Sequence, residues 1–262
     1  MRTRRLAPSA VAAAVILAAA ALLRPASGPA AAGETLRGRV TAVYDGDTVR
    51  VDLGGRTDER VRLIGVDSPE LDDARERVRM MAFLAKRFAF SKLYQVPVEL
   101  LPGPEERDDY GRLLAFVRCG NGEIFNETLV GEGFAYAYLK FPFDEAWKKR
   151  LKDAEDAARR SGKGLWQREP YPVVEAADAG RRAGQIVTVR FRCLRSFKRG
   201  GYRILEADGA AFDAVIPLGA IKAFPGSLDF AGRTLEATGL VELYKERPQV
   251  QVGVPAQLKR VD

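Results

Sequence analysis

The stretch from Tyr44 to Glu70 limits the fold more than any other part of the chain. Asp45-Gly46 marks a tight turn between Val40–Tyr44 and Thr48–Leu53, because glycine tolerates the positive φ that hairpin turns demand. Val49, Val51 and Leu53 alternate with Thr48, Arg50 and Asp52, the period-two pattern of a half-buried strand. Gly54-Gly55 reverses the chain, and Arg60–Val66 is expected to return antiparallel to it. Such a path sets Asp47 and Asp67 side by side at one end of the hairpin. Two carboxylates there repel each other unless a cation or a shared proton lies between them. Pro69 fixes the bend after Asp67-Ser68, so Glu70 can face the same point, and Arg62 lies on the strand leading into it. Oxygen ligands beside a guanidinium suit a hard cation together with a phosphate.

The run Asp45-Gly46-Asp47-Thr48, followed by Arg62-Leu63 and Val66-Asp67-Ser68-Pro69-Glu70, resembles the thermonuclease (staphylococcal nuclease-like) family. Asp109-Tyr110-Gly111-Arg112 is similar to that family's second catalytic arginine segment, in spacing and in order. The resemblance implies a five-stranded OB-type barrel with three helices. It also implies a calcium ion held by Asp47, Asp67 and the Ser68 carbonyl with water, a water positioned or deprotonated by Glu70, and a phosphodiester gripped by Arg62 and Arg112. The implied substrate is DNA, RNA or both. Singly, each aspartate beside Gly or Pro is an ordinary turn residue and each arginine an ordinary surface cation. The alternative is a non-catalytic nucleic-acid-binding protein built on the same folds; the joint presence of all five side chains argues against it. Two departures stand out: Ser68 replaces the more usual Thr, and the acidic stretch after Glu70 lacks the family's basic loop.

The chain contains no histidine, which removes Ser-His-Asp triads, zincin motifs and His-metal nuclease centres. A carboxylate is then the neutral-pH base that the motif offers. Two cysteines, Cys119 and Cys193, are too few for a zinc site or a disulfide scaffold, and they read as unpaired. The formal net charge of +7 is unevenly spread. Residues 33–180 carry 24 basic and 27 acidic side chains while residues 181–262 carry 14 and 8, so a nucleic-acid footprint is expected mainly in the second half.

Residues 1–32 combine Arg2, Arg4 and Arg5, an apolar run from Val11 to Leu23, and Ala30-Ala31-Ala32, the pattern of a secretory signal peptide. An uncleaved membrane anchor is the second reading, and either places the protein in the cell envelope or outside the cell. Residues 33–168 form the thermonuclease-like domain, 169–183 a linker and 184–262 a second, OB-like β-barrel, so the fold class is mainly β with packed helices (α+β). Helices are expected over Leu71–Leu93, Asn126–Gly131 and Asp144–Arg160, with Asp144 as cap and Gly162 as terminator. Val78, Met81, Phe83, Leu84 and Phe88 mark the core face of the first. Pro102–Tyr110 reads as a charged loop. Leu235–Tyr244 and Arg247–Val252 resemble the last two strands of bacterial OB-fold nucleic-acid-binding modules. Tyr110, Tyr136 and Tyr138 are candidates for stacking on bases, and Lys198, Arg199 and Tyr202 for nucleic-acid contact by the second barrel. No obligate protein partner is inferred.

Overall fold

The computed structural model describes residues 33–55 and 58–262; the segment read as a signal or anchor lies outside the described residues. Among the described residues no helix is long and apolar enough to cross a membrane. The first half closes a barrel from β1 (Leu36–Val43), β2 (Thr48–Asp52), β3 (Glu59–Leu63), β5 (Pro97–Arg107) and β6 (Leu113–Cys119) in the order β1-β2-β3-β6-β5. A two-residue strand β4 (Val66–Asp67) leaves this barrel and pairs with β7 (Tyr136–Ala137). Three helices pack around it: α1 (Glu76–Leu93), α2 (Phe125–Gly131) and α3 (Glu145–Ser161). The alternation seen in the sequence turns Val49, Val51, Val61 and Leu63 inward, and each is almost completely buried.

The helix limits show which local signals prevailed. Asp144 accepts hydrogen bonds from the Ala146 and Trp147 amides, and Gly162 ends α3 in the left-handed region at φ 62°, both as expected. The expectation that α1 starts at Leu71 is corrected, because the helix begins at Glu76. Asp73 accepts from the backbone, Nε and Nη2 of Arg75 at 2.7, 3.0 and 2.8 Å, folding 71–75 into a turn that competes with helix. The supposed loop Pro102–Tyr110 is also corrected. β5 runs on to Arg107 through an irregularity in its pairing with β6, and only the tip, from Asp108 to Arg112, turns.

In the second half β9 (Ile186–Arg199), β10 (Tyr202–Ala207), β11 (Asp213–Pro217), β12 (Thr234–Tyr244) and β13 (Arg247–Gln251) close a ring in the order β9-β10-β11-β13-β12. This is the order of the first barrel, with the third strand again parallel to the fifth. A short β14 (Leu258–Arg260) pairs with β12. The connection 169–183 is folded rather than open: β8 (Val173–Glu175) lies parallel to β9, and Ala176 and Ala179 are buried in the second core.

Helix α1 joins the two halves. Met81, Leu84 and Phe88 enter the first core, while Phe83, placed on the same face in the sequence reading, is only half-buried and meets Gly253 beyond β13. A Cβ on Gly253 would stand 2.0 Å from the Phe83 ring, so the backbone approaches as only glycine allows. Beside it Arg87 and Glu242 form an ion pair of 2.5 Å in which both side chains are about 15% exposed or less.

Asn126, fully buried on α2, braces the turn that follows β3. Its Oδ1 accepts from the Val117 amide and its Nδ2 donates to the Ile64 carbonyl, each at 2.9 Å. Asn126→Ala strands two buried backbone groups, and we expect denaturant unfolding to show a loss of about 2–4 kcal/mol. A loss under about 1 kcal/mol would mean that the brace is dispensable.

Candidate active site at the mouth of the first barrel

The β1–β2 turn and the end of β3 lie at one end of the barrel while the β5–β6 tip runs back beside the start of β3, and all three send charged groups toward the outer side of β3, where Arg62 and Arg112 line one cleft. Asp47 is nearly buried, and its Oδ2 accepts from the Ser68 amide at 2.6 Å. Its Oδ1 accepts from the Thr48 hydroxyl at 3.2 Å and lies 3.2 Å from Arg62 Nη1. Arg62 Nη2 reaches Asp67 Oδ1 at 3.3 Å, and Nη1 also donates to the carbonyls of Leu63 and Val66 at 3.1 and 2.8 Å. One guanidinium thus binds both aspartates and spans the β3–β4 turn. At Gly65 in that turn φ is +73° and a Cβ would lie 2.4 Å from Leu151, so no other residue fits.

Arg112 stands at the entry to β6, its Nε donating to Asp108 Oδ2 at 2.7 Å and its guanidinium 5.2 Å from the Tyr110 ring centroid. Burial works to raise the Asp108 carboxyl, but hydrogen bonds from the Arg112 amide and side chain outweigh it and hold the group below its ordinary range. Arg62, Asp67, Asp108, Arg112 and Tyr138 line one cleft of about 280 Å³. Glu70 is exposed just past the bend, close enough for the charges of Asp47, Asp67 and Arg62 to act on it.

The electrostatics are those of a crowded anionic site. Burial raises the Asp67 carboxyl first, and the Asp47 charge adds to this against the pull of Arg62. Glu70 is raised by burial and then by the charges of Asp47, Asp67 and Asp72. Asp45, read in the sequence only as a turn former, is pushed up to about 6 by burial and by Asp47. Its Oδ1 accepts from the Asp47 amide at 3.0 Å. An aspartate two residues before a site aspartate was the available signal for Asp45, as one four residues before Arg112 was for Asp108.

Excess carboxylate charge and oxygen donors fit a hard cation. Among the described residues no three carboxylate, cysteine or histidine side chains gather into a ready cage, so such an ion would rely on Asp47 and Asp67 with carbonyl and water oxygens. Ser68 enters the site through its N–H, which donates to Asp47. Cys119 and Cys193 are unpaired, and burial pushes both thiols up to about 11, which leaves them inert at neutral pH.

The remaining sequence candidates divide. Tyr138 lines the cleft, whereas Tyr110 is 85% exposed at the tip and Tyr136 sits beside the cleft with its ring against Trp166. In the second barrel Arg199 and Tyr202 line a separate cleft of about 630 Å³ together with Tyr244, Lys245 and Arg247; Lys198 is exposed on the same turn. Lys245 and Glu246 hold left-handed backbone at the tip of β12–β13, a cost that glycine would avoid.

Residues 60–168 match the model of a family described as staphylococcal nuclease homologue. That span includes Arg62, Asp67, Ser68, Glu70 and Arg112 and stops short of Asp47 on one side and the second barrel on the other. The chain is 37% identical to the thermonuclease of Staphylococcus intermedius over 129 residues, covering 49% of this chain and 75% of the relative. It is 36% identical to the thermonuclease of Staphylococcus hyicus over 128 residues, 49% of this chain and 74% of that one. An uncharacterized endonuclease of Escherichia coli O157:H7 matches at 31% over 140 residues, 52% of this chain and 82% of the relative.

The raised Asp45 carboxyl makes a signed prediction. In chelator, the native state keeps the Asp45 proton up to about pH 6 while the unfolded chain loses it near its ordinary value, so this group's contribution to stability falls as pH rises from about 4 to 6. Asp45→Asn retains an acceptor for the Asp47 amide without the charge. Its melting temperature in chelator should exceed the parent's by roughly 2–4 °C at pH 7 and converge with it at pH 4. An equal difference at both pH values would remove the electrostatic explanation.

Proposed function

The chain belongs to the staphylococcal nuclease homologue family, and on that premise we propose that it is an exported, calcium-dependent nuclease that hydrolyses phosphodiester bonds of DNA, RNA or both. The observation that carries this reading is the meeting of Arg62 and Arg112, fifty residues apart in sequence, in one cleft with Asp67. A phosphodiester between the two guanidinium groups receives hydrogen bonds on its non-bridging oxygens, and these bonds strengthen as charge builds on five-coordinate phosphorus. Both arginines already hold carboxylates, Arg62 with Asp47 and Asp67 and Arg112 with Asp108, so their forks are pre-aimed before substrate arrives.

Asp47 and Asp67 would hold a calcium ion, which would offset the surplus carboxylate charge and polarise a phosphoryl oxygen. Glu70 takes the proton of the attacking water; its raised carboxyl brings it nearer the working pH of a general base. The water oxygen bonds to phosphorus and, by resemblance to the family, the bond to the 5′ oxygen breaks. That oxygen leaves as a 5′-hydroxyl after taking up a proton, and a 3′-phosphate remains. Asp45 holds the Asp47 amide and so fixes the turn that presents Asp47. The second barrel, with Tyr202 and Tyr244 about half exposed between basic side chains, would hold the strand. Export rests on the N-terminal 32 residues alone.

Purified protein incubated with single-stranded DNA and RNA should cleave at least one of them with calcium and neither with chelator. Binding without cleavage under every condition would favour the non-catalytic alternative. Glu70→Gln should lower kcat by about 10²–10⁴-fold, with a melting temperature close to the parent's. A variant that cuts at the parent's rate would remove Glu70 from the role of base.

A further inference from the structure

Apart from the carboxylate site, the first half carries a cluster of guanidinium groups that the proposed chemistry leaves unused. A cleft of about 1270 Å³ opens between the last turn of α3, the first turn of α1 and the segment 165–172, with Arg77, Arg159, Arg160, Arg168 and Trp166 on its walls. All four arginines are exposed. Arg159 is 3.1 Å from Glu155 and lies 3.9 Å from the Trp166 ring centroid, and Arg77 donates to the Gln167 carbonyl at 3.0 Å. Arg77, Arg160 and Arg168 have no carboxylate partner among the described residues, and Glu169 is the one acid on the walls. Like charges around one opening raise its potential and favour an anionic occupant.

A short chain of contacts leads from the candidate active site to this cleft. Asp67 pairs with Tyr136 across β4 and β7, and the Tyr136 ring, 42% exposed, meets Trp166 edge-on at 5.4 Å. Trp166 in turn carries Arg159 on its face. A strand leaving the Arg62–Asp67 site past Tyr136 therefore meets an aromatic step and then a row of guanidinium groups. Unstacked bases can use such a step and the phosphate backbone such a row, as single-stranded nucleic acid does on other proteins. The acidic balance of residues 33–180 hides this, because a net count does not show that four arginines from α1, α3 and the segment after it share one opening.

We propose that the arginine cleft binds the phosphate backbone of the polynucleotide beyond the scissile position, so that long single strands are held in preference to short diesters. The proposal rests on the nuclease reading for its substrate, and its test does not require cleavage. In chelator, the full chain is titrated with oligodeoxythymidylates of two and of ten nucleotides while tryptophan emission is followed. Trp147 is almost wholly buried in the first core, so a change reports Trp166. The ten-nucleotide strand should alter the emission at concentrations where the dinucleotide does not. Combining Arg160→Ala with Arg168→Ala should raise its Kd about tenfold and lower the slope of log affinity against log salt by roughly 1.4, about 0.7 for each lost contact to a single strand. Arg160→Lys with Arg168→Lys should recover most of both. An equal response to both lengths in the parent protein, or full decanucleotide affinity in the alanine pair, would overturn the proposal. Decanucleotide binding as described with no cleavage in calcium would instead overturn the nuclease reading and leave the cleft standing.

Discussion

The Arg62 guanidinium is the fixed point of the first barrel's mouth. Its donors are shared among Asp47, Asp67 and the carbonyls of Leu63 and Val66, so one side chain closes the β1–β2 turn onto the turn after β3. Two aspartates brought this close would otherwise repel, and the raised carboxyls of Asp67 and Asp45 show that repulsion and desolvation are only partly offset. A site of this kind is assembled before any ligand arrives but remains short of positive charge. That shortfall is the chemistry on which the proposed cation and phosphodiester site rests.

Much of this was legible in the sequence because local chemistry and tertiary position agree along Tyr44–Glu70. The period-two pattern, the Asp-Gly turn and the Pro69 bend each act within a few residues, and together they deliver Asp47 beside Ser68 and Arg62. The failures have physical causes of the opposite kind. The start of α1 was misplaced because Asp73, whose charge suits the first turn of a helix, instead accepts from Arg75 in a turn. β5 continues beyond Pro102 because pairing with β6 resumes at Arg107. Phe83 looked like core because helical periodicity says that a face is apolar and not which body it meets. The arginine cleft was invisible to charge counting because it draws on helices some eighty residues apart.

Both barrels solve one packing problem in one way. Each ring has the same strand order, and each is secured by a buried side-chain amide near the exit of its last strands. Asn126 ties Val117 to Ile64 in the first; in the second Gln257, 1% exposed, accepts from the Gly253 and Val254 amides and donates to the Thr238 and Gln251 carbonyls. At matching ends the first barrel carries carboxylates on its turn between strands one and two, and the second carries Arg199 with Tyr202. One scaffold thus presents a charged cleft on the first barrel and an aromatic, basic surface on the second.

The contact of α1 with Gly253 and Glu242 bears on how such a chain can change over time. A helix that is core to one barrel and wall to the other cannot drift in sequence for the benefit of one alone, since a larger residue at 253 or a lost charge at 87 is felt on both sides. A substitution at Phe83, Arg87, Glu242 or Gly253 is therefore constrained from both barrels at once, and α1 with the segment around Gly253 forms one packing unit.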